Sequence, residues 1–273
     1  MKPTASQLAQ FHSDGFLLVP HFFSEREVRA MRLELDRLRR DGFLRNVATD
    51  GDGETHSTTK MNLQICPMHD KSTFYRALAF HPKVVAWVRA LIGDPVLRHL
   101  DQSFLKPARC GAPTNWHQDN AYFQISDPLK GTAMWTAIHD ATLANGTMRL
   151  IPGSHREKLE HSRDPESDHH IRCYPDESKA VAAELPAGGV AFFCYGAAHA
   201  TGCNNTDSDR AGVAYHFLNA DYATEGLLDN PKNPIPYLTG PQATGGLREY
   251  GVKVEGTFEA EATRVLEQAS VTA

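Results

Sequence analysis

The chain has little that would place it in a membrane or in a disulfide-stapled scaffold. No run of eighteen apolar residues occurs among its 273 residues, so no membrane-spanning helix is predicted. The five cysteines are odd in number and none forms a Cys-x-x-Cys pair, which predicts reduced thiols. The N-terminal stretch lacks the apolar segment of a signal peptide, and we therefore expect a cytoplasmic protein.

Long runs of positive charge are also missing. The formal net charge is −5, which argues against nucleic acid as the main partner. Neither the Gly-x-Ser-x-Gly motif of α/β-hydrolases nor a phosphate-binding Gly-x4-Gly-Lys-Ser/Thr loop is present. The chain is 41% hydrophobic and can bury a substantial core, and its fourteen histidines direct attention to a metal.

Helical patterns dominate the first third of the chain. Ser24 and Glu27 form a capping-box pattern at the start of a helix that we expect to stop near Gly42. The apolar run GFLLVPHFF before it predicts a buried strand, and a second helical region is predicted over 72–92. The polar segment 45–60 between the two helical regions predicts a mobile loop.

After Gly93 the pattern changes to short β segments. Stretches rich in β-branched and aromatic residues are separated by Gly, Pro and Asn, which is typical of an all-β sandwich or barrel. The predicted strands cover 96–106, 120–125, 131–139, 147–151, 190–195 and 212–219. A polar insertion at 155–180 interrupts them, and its His169 and His170 are interpreted as part of a solvated loop.

A candidate metal site lies in the segment Asn-Trp-His-Gln-Asp. In an extended chain, His117 and Asp119 point to the same face and can offer a nitrogen and an oxygen to one ion. This pair alone is a weak motif. His199, which directly follows an apolar strand, is the best third ligand. Two histidines and one carboxylate form the facial triad of non-haem iron(II) oxygenases, which leaves metal positions open.

Two further residues at fixed offsets from His199 predict what binds beside the metal. Arg210 lies eleven residues later, where a returning strand can bring its guanidinium back to the site. Its planar fork of donors suits a dicarboxylate better than lysine does, although a surface turn position is the alternative for Arg210 taken alone. Thr201, two residues past His199, can add a hydroxyl to the same carboxylate.

With these residues in place, the chain resembles the phytanoyl-CoA dioxygenase family of iron(II)/2-oxoglutarate-dependent oxygenases. The motifs lie in FHSDGFLLVPHFFSEREVRAM, NWHQDNAYF, MWTAIHDATLANGTMRLIPGSH and LPAGGVAFFCYGAAHATGCNNTDSDRAGVAYHF. The resemblance implies a mainly β fold with flanking α, namely a double-stranded β-helix (jelly-roll, cupin-like) core with N-terminal helices packed outside. We expect one oxygenase domain over 1–273, made of helical support (1–94), the core with its insertion (95–222) and a C-terminal extension (223–273).

The resemblance also implies roles for individual residues. It places Fe(II) on His117, Asp119 and His199, and the distal carboxylate of 2-oxoglutarate on Arg210 and Thr201. Trp135, eighteen residues after His117, matches a position that lines the co-substrate, and Gln102 and Asn62 match less constant polar positions near it. Core packing is the alternative for Trp135, and an edge-strand role is the alternative for Gln102. The candidates for the substrate wall, again with core packing as the alternative, are Phe104, Tyr122 and Phe123.

These features predict an iron(II)/2-oxoglutarate-dependent dioxygenase that hydroxylates or otherwise oxidises a small, polar metabolite or natural-product intermediate. The enzyme would use O2 and release succinate and CO2. Asp119 disfavours the halogenating branch of the family, which has a small residue at that position. The alternatives are a cupin-like metalloenzyme that does not use 2-oxoglutarate and a catalytically silent binding protein on the same fold. A monomer or homodimer with lids at 45–60 and 155–180 is expected, without nucleic-acid or membrane partners.

Overall fold

The computed structural model describes residues 2–228 and 234–271. The predicted N-terminal support (1–94) and C-terminal extension (223–273) each include residues outside this description, namely 1, 229–233 and 272–273. The described helices are α1 (Ala5–Asp14), α2 (Glu25–Arg40), α3 (Thr73–Leu78), α4 (Pro82–Ile92), α5 (Asn120–Phe123), α6 (Glu225–Leu228), α7 (Leu247–Tyr250) and α8 (Phe258–Val271). The described strands are β1 (Phe16–Val19), β2 (Arg45–Asn46), β3 (Leu63–Ile65), β4 (Val96–Lys106), β5 (Thr114–His117), β6 (Gly131–Ala137), β7 (Met148–Leu150), β8 (Ser162–Arg163), β9 (Ile171–Arg172), β10 (Val181–Ala182), β11 (Val190–Cys194), β12 (His199–Thr201) and β13 (Arg210–Asn219).

Two antiparallel sheets form the core of the molecule. The large sheet has the order β1-β11-β6-β13-β4-β3-β2, and the small sheet has the order β10-β7-β12-β5. The N-terminal third contributes strands to both edges of the large sheet, because β1 pairs with β11 and β3 pairs with β4. Side chains from the two sheets line one shared cavity. The result is the predicted mainly β core with helices on the outside.

The early helices follow the capping signals in the sequence. Ser24 and Glu27 form the predicted capping box of α2, which ends at Arg40, slightly before the predicted stop at Gly42. The helical region predicted over 72–92 is divided into α3 and α4, because Pro82 disfavours the helical conformation at His81. No helix in the described part of the chain has the length and apolarity that crossing a bilayer requires.

Apolar packing fixes the helices against the large sheet. Trp87 of α4 stacks on Phe192 of β11, with ring centroids 5.7 Å apart and planes 12° from parallel. Both side chains are buried, and burial of each stabilises the fold by about 2–3 kcal/mol. The same face of the sheet therefore anchors α4, while the opposite face is free to line the cavity. The five cysteines are all unpaired, as predicted.

The strand predicted over 120–125 is wrong. Residues 120–123 form the short helix α5, and Gln124 then reverses the chain with a left-handed φ of 52°. The side chain of Asn120 closes this turn by accepting from the backbone N–H of Ile125 and donating to its carbonyl oxygen. The aromatic residues of this segment resemble a strand pattern, but these local asparagine bonds favour a turn.

The polar segment 45–60 is bonded to the polar insertion. Backbone hydrogen bonds run from Thr49 N–H to Glu166 O, from Gly53 N–H to Pro165 O and from Asp168 N–H to Val47 O, with donor–acceptor distances of 3.0, 2.8 and 3.1 Å. The hairpin of β8 and β9 lies in the same insertion. We call residues 45–60 and 162–172 together the polar flap, because each segment supplies hydrogen-bond partners to the other.

Candidate metal centre

His117, Asp119 and His199 converge inside the β core. His117 ends β5 and His199 begins β12, and the two residues lie opposite each other in the antiparallel pair. Asp119 Oδ1 lies 3.8 Å from Nε2 of each histidine. Donors that each stand about 2.1 Å from one ion are at most about 4.2 Å apart, so Asp119 Oδ1 can share an ion with either ring. The three ligand atoms all lie within 4.8 Å of one another.

The two imidazoles are oriented by backbone carbonyls. Nδ1 of His117 lies 2.8 Å from Asn115 O, and Nδ1 of His199 lies 3.0 Å from Ala197 O. Because a carbonyl only accepts, Nδ1 carries the proton and the Nε2 lone pair of each ring faces the centre. Burial lowers the pKa of both histidines to about 4, so both are neutral and able to bind metal near pH 7.

Asp119 reaches the centre differently from the sequence prediction. The predicted extended conformation is wrong at this residue, because β5 ends at His117 and Asp119 has helical dihedrals, with φ −58° and ψ −31°, at the start of α5. The turn into α5 still directs the carboxylate toward the histidines. The His-x-Asp spacing therefore brings the two groups together through a strand-to-helix turn.

Arg210 is a buried cation at another position in the same cavity. The residue begins β13 and is fully buried, and its guanidinium donates to the carbonyl oxygens of Asn145 and Gly146. Its Nη1 has no hydrogen-bond partner among the described residues. Burial lowers the pKa of Arg210 to about 10, which keeps the group charged at neutral pH. A buried guanidinium with an unused donor is suited to an anionic ligand.

Lys106 is a second buried basic residue, and it is not among the residues predicted from the sequence. It lies opposite Arg210 in the β4–β13 register and is 1% exposed. Its ammonium donates to the carbonyl of Ala112, and burial together with Arg210 holds the pKa of Lys106 well below its usual value. The alternation of Gln102, Phe104 and Lys106 along β4 is the sequence signal that places all three on one face.

Trp135 and Thr201 line the same cavity as Arg210 and Lys106. The Arg210 guanidinium is 5.6 Å from the Trp135 ring centroid, and a Cβ at Gly212 would stand 2.5 Å from the indole. Only glycine at 212 therefore allows the ring to lie against β13. Thr201 Oγ1 accepts from Thr114 N–H at 3.1 Å, which leaves its own hydroxyl proton available to a ligand.

The two less constant polar positions occupy different places in the cavity. Asn62 donates to Thr114 Oγ1 at 3.2 Å, and its Oδ1 is buried without a partner among the described residues. Gln102 lies four residues before Lys106 on β4, and its amide is engaged by Gln64 and His216 at 2.7 and 3.1 Å. Asn62 is thus linked to Thr201 through Thr114, whereas Gln102 faces a histidine next to the metal centre.

The three aromatic candidates for the substrate wall all line the cavity. The Tyr122 ring is 6.1 Å from the His117 ring, and its hydroxyl accepts from Ile171 N–H in the polar flap at 2.8 Å. Phe123 packs edge-on against His216 with centroids 5.3 Å apart. Phe104 is partly buried on β4 and lies between Gln102 and Lys106 on the cavity face. These positions give the cavity an apolar wall beside the metal centre.

The interpretation of His169 and His170 as part of a solvated loop is wrong for His170. That residue is buried, and its ring lies parallel to His117 with centroids 6.3 Å apart. Burial and the neighbouring His169 hold the pKa of His170 well below its usual value, so it lines the cavity as a neutral ring. His169 is exposed, and its Nδ1 donates to Oδ1 of Asp168. The polar flap therefore contributes directly to the cavity.

The cavity has a volume of about 370 Å³. Among the described residues, Asp119 is the one carboxylate that lines it, whereas the basic residues Arg45, Lys106 and Arg210 all do. Arg45 is half-exposed and paired with Asp168, whereas Arg210 is a buried charge without a carboxylate partner among the described residues. Such a cavity favours anionic ligands, and the neutral imidazoles favour a metal ion.

Comparison with known proteins shows to which family the chain belongs. Residues 11–212 match the family model described as Phytanoyl-CoA dioxygenase (PhyH). An ectoine dioxygenase from Bordetella parapertussis (strain 12822 / ATCC BAA-587 / NCTC 13253) is 24% identical over 258 residues, which cover 88% of this chain and 80% of that protein.

Solved structures share the fold. EvdO2 from Micromonospora carbonacea var. aurantiaca, complexed with 2-oxoglutarate, is 26% identical with a TM-score of 0.63 and covers 80% of this chain and 91% of its own. The epimerase SnoN in complex with Fe3+, alpha ketoglutarate and nogalamycin RO is 24% identical with a TM-score of 0.68. The match covers 87% of this chain and 96% of the SnoN chain. The predicted jelly-roll architecture is confirmed, and the family match spans most of the chain. The chain belongs to the phytanoyl-CoA dioxygenase family of iron(II)/2-oxoglutarate-dependent oxygenases.

Proposed function

We propose that the protein is a dioxygenase that uses Fe(II), 2-oxoglutarate and O2 to oxidise a small, polar metabolite or natural-product intermediate. The observation that carries this proposal is the presence, in one buried cavity, of a His-Asp-His cluster and a guanidinium with an unused donor. A metal site without Arg210 would fit many cupin-like enzymes. The combination of the His-Asp-His cluster with Arg210 is what a metal-chelating dicarboxylate requires.

The residues of the triad fit a divalent iron ion. Nε2 of His117, Nε2 of His199 and Oδ1 of Asp119 would hold it, and two neutral rings with one carboxylate leave coordination positions open for a chelating ligand and oxygen. Bound iron, together with 2-oxoglutarate and O2, supplies the oxidising power while 2-oxoglutarate becomes succinate and CO2. The protein itself orients the ligands, excludes water and fixes the charge around them.

The two cations fit the far end of 2-oxoglutarate. Arg210 would bind the distal carboxylate through Nη1, and Thr201 would donate its hydroxyl to the same group. Lys106, opposite Arg210, would add a second charge, and Asn62 and Trp135 would complete the wall. Neither Arg210 nor Lys106 has a carboxylate partner among the described residues, so a bound dianion would supply the negative charge that these buried basic groups lack.

The charge of the lining narrows the substrate class. A permanently cationic group would find no carboxylate in the cavity other than Asp119, which the metal requires. We therefore expect the substrate to be a neutral or anionic polar molecule and not a cationic one. The tyrosine and phenylalanine wall and the neutral His170 would contact the substrate, and the polar flap would act as its lid. The relatives named for ectoine and nogalamycin support a small-molecule substrate.

Succinate formation separates this proposal from its alternatives. Purified protein supplied with Fe(II), 2-oxoglutarate, O2 and ascorbate should release succinate slowly by itself and faster with a true substrate, which a panel of polar metabolites can identify. A cupin-like enzyme that does not use 2-oxoglutarate, or a silent binding protein, would release none above the Asp119→Ala control. A single domain over 1–273, a cytoplasmic location and a monomeric or homodimeric state stay predictions.

A further inference from the structure

Only one oxygen of the Asp119 carboxylate faces the two histidines of the triad. Oδ1 is 3.8 Å from Nε2 of both rings, whereas Oδ2 points away and is buried without a hydrogen-bond partner among the described residues. Buried polar atoms in folded proteins are nearly always paired. A carboxylate that is free on one side can also rotate and present a different oxygen to a metal. The surroundings of Oδ2 therefore decide how Asp119 is oriented.

His216 stands directly against that free oxygen. The residue lies on β13, its side chain is 5% exposed, and its Nδ1 is 3.5 Å from Asp119 Oδ2. Nδ1 of His216 is itself buried without another partner among the described residues. Two buried polar atoms, each otherwise unpaired, thus face each other at the outer limit of a hydrogen bond. A closer approach of a few tenths of an ångström satisfies both.

Gln102 determines which nitrogen of His216 carries the proton. Gln102 Nε2 lies 3.1 Å from His216 Nε2, and an amide NH2 group can only donate, so Nε2 of the ring must accept. The ring proton of the neutral imidazole is then on Nδ1, which faces Asp119. Gln64 fixes the amide in this orientation by donating to Gln102 Oε1 at 2.7 Å. Flipping both amides would turn a lone pair of His216 toward a carboxylate oxygen, which is repulsive.

Aromatic packing keeps the ring in place. Phe123 contacts His216 edge-on with centroids 5.3 Å apart, and the centroid of Tyr195 lies 6.0 Å away. Phe123 ends α5, shortly after the ligand Asp119, and Tyr195 directly follows β11, shortly before the ligand His199. The ring is thus fixed by aromatic packing and by the Gln102 hydrogen bond at Nε2, with Nδ1 next to Oδ2 of Asp119.

We infer that His216 is a positioning residue that holds Oδ2 of Asp119 through its Nδ1–H, so that Oδ1 alone is presented to the metal. The chain of contacts runs from Gln64 through Gln102 and His216 to Asp119. This inference rests on the proposed metal centre and adds to it a residue that would not touch the ion. It also gives Gln102 a role in the orientation of the carboxylate.

Metal binding without turnover tests the inference. Loss of such an outer partner commonly weakens metal affinity about 10–100-fold. His216→Leu should therefore bind Co(II) about 10–100-fold more weakly than wild type in calorimetric titrations of metal-free protein. His216→Asn should bind within about threefold of wild type, because its amide nitrogen takes the place of Nδ1 relative to the backbone. His216→Gln is the matched control, since its longer amide overlays Nε2 instead and should not restore affinity.

Each result decides a separate point. Wild-type affinity in a folded His216→Leu protein, or an equal loss in His216→Asn and His216→Leu, would overturn the positioning role. Failure of the wild-type protein to bind Co(II) would instead remove the proposed metal centre and the inference with it. If His216→Leu does not give the wild-type circular dichroism spectrum, Gln102→Leu is tested in its place. The Gln102→Leu variant removes the hydrogen bond that keeps the ring proton of His216 on Nδ1, and it leaves the aromatic packing around the ring unchanged. Unchanged affinity in Gln102→Leu would then overturn the inference.

Discussion

Arg210 and Lys106 lie opposite each other in the β13–β4 pair, and both buried side chains line the cavity that holds the His-Asp-His cluster. Arg210 and burial lower the pKa of Lys106, and neither residue has an acidic partner among the described residues. A fold keeps such a pair where a ligand supplies the missing negative charge. This relationship is the basis of the first two predictions.

Arg210→Ala should raise the 2-oxoglutarate concentration needed for half-maximal succinate release by about 10–150-fold. The variant loses charge-assisted hydrogen bonds of about 1.5–3 kcal/mol. The measurement is a 2-oxoglutarate titration of succinate formation at saturating Fe(II). Co(II) affinity should stay near the wild-type value, because Arg210 lies outside the triad. A wild-type 2-oxoglutarate dependence would remove Arg210 from the co-substrate site.

Lys106→Met keeps the length and apolar stem of the side chain and removes its charge. We expect 2-oxoglutarate binding to weaken about tenfold, which corresponds to about 1.4 kcal/mol. The ligand-free protein should at the same time unfold at a higher temperature, because a buried basic group without an anionic partner is removed. Differential scanning calorimetry with and without 2-oxoglutarate reports both effects. A variant that loses stability and keeps full 2-oxoglutarate affinity would show that Lys106 is structural.

The pKa of Glu27 predicts how the free energy of unfolding changes at acidic pH. Burial raises the pKa of Glu27, but hydrogen bonds from His81 and Ser24 outweigh this effect and lower the pKa to about 2. Because the folded pKa lies below the unfolded value of 4.5, the carboxylate stabilises the fold fully above about pH 4.5. This contribution is lost as the pH falls from there toward 2.

Glu27→Gln should therefore lower the free energy of unfolding by about 1–2 kcal/mol at pH 7 and by much less at pH 3. Urea denaturation at the two pH values measures the difference. Glu25→Gln, in the same first turn of α2 but exposed, is the control and should change stability by less than about 0.5 kcal/mol. An equal effect of Glu27→Gln at both pH values would contradict the assigned pKa.

Tyr122 couples the substrate wall to the polar flap. Tyr122→Phe removes the hydroxyl that accepts from Ile171 N–H, so residues 162–172 should open more readily. We expect cleavage in this segment by a non-specific protease to become about three- to tenfold faster, as for a loss of about 1 kcal/mol of local stability. Tyr174→Phe, at an exposed tyrosine of the same insertion, is the control. Equal cleavage rates for Tyr122→Phe and wild type would argue against the coupling.

The proximity of many candidate site residues could be predicted because these residues are tied to local sequence order. His117 and Asp119 are two residues apart, and Thr201 and Arg210 follow His199 at short fixed offsets, so a strand or turn brings each near the others. The capping box of α2 is similarly local. The strand predicted over 120–125 fails because its aromatic content imitates a β pattern while Asn120 stabilises a turn.

The residues that could not be predicted depend on contacts between distant segments. His216 meets Asp119 only after β13 pairs with β4 and β6, and His170 reaches His117 only through the folded insertion. Lys106 is brought opposite Arg210 by a register between strands about a hundred residues apart in the chain. Such pairings follow from sheet register, and local periodicity carries no information about them.

The most direct test of the account is a crystal structure of the protein grown without oxygen in the presence of Mn(II) and 2-oxoglutarate. We predict one metal ion bound by Nε2 of His117, Nε2 of His199 and Oδ1 of Asp119. The co-substrate should chelate this ion and place its distal carboxylate on Arg210. A metal ion at any other position, or 2-oxoglutarate bound away from Arg210, would contradict the proposed site.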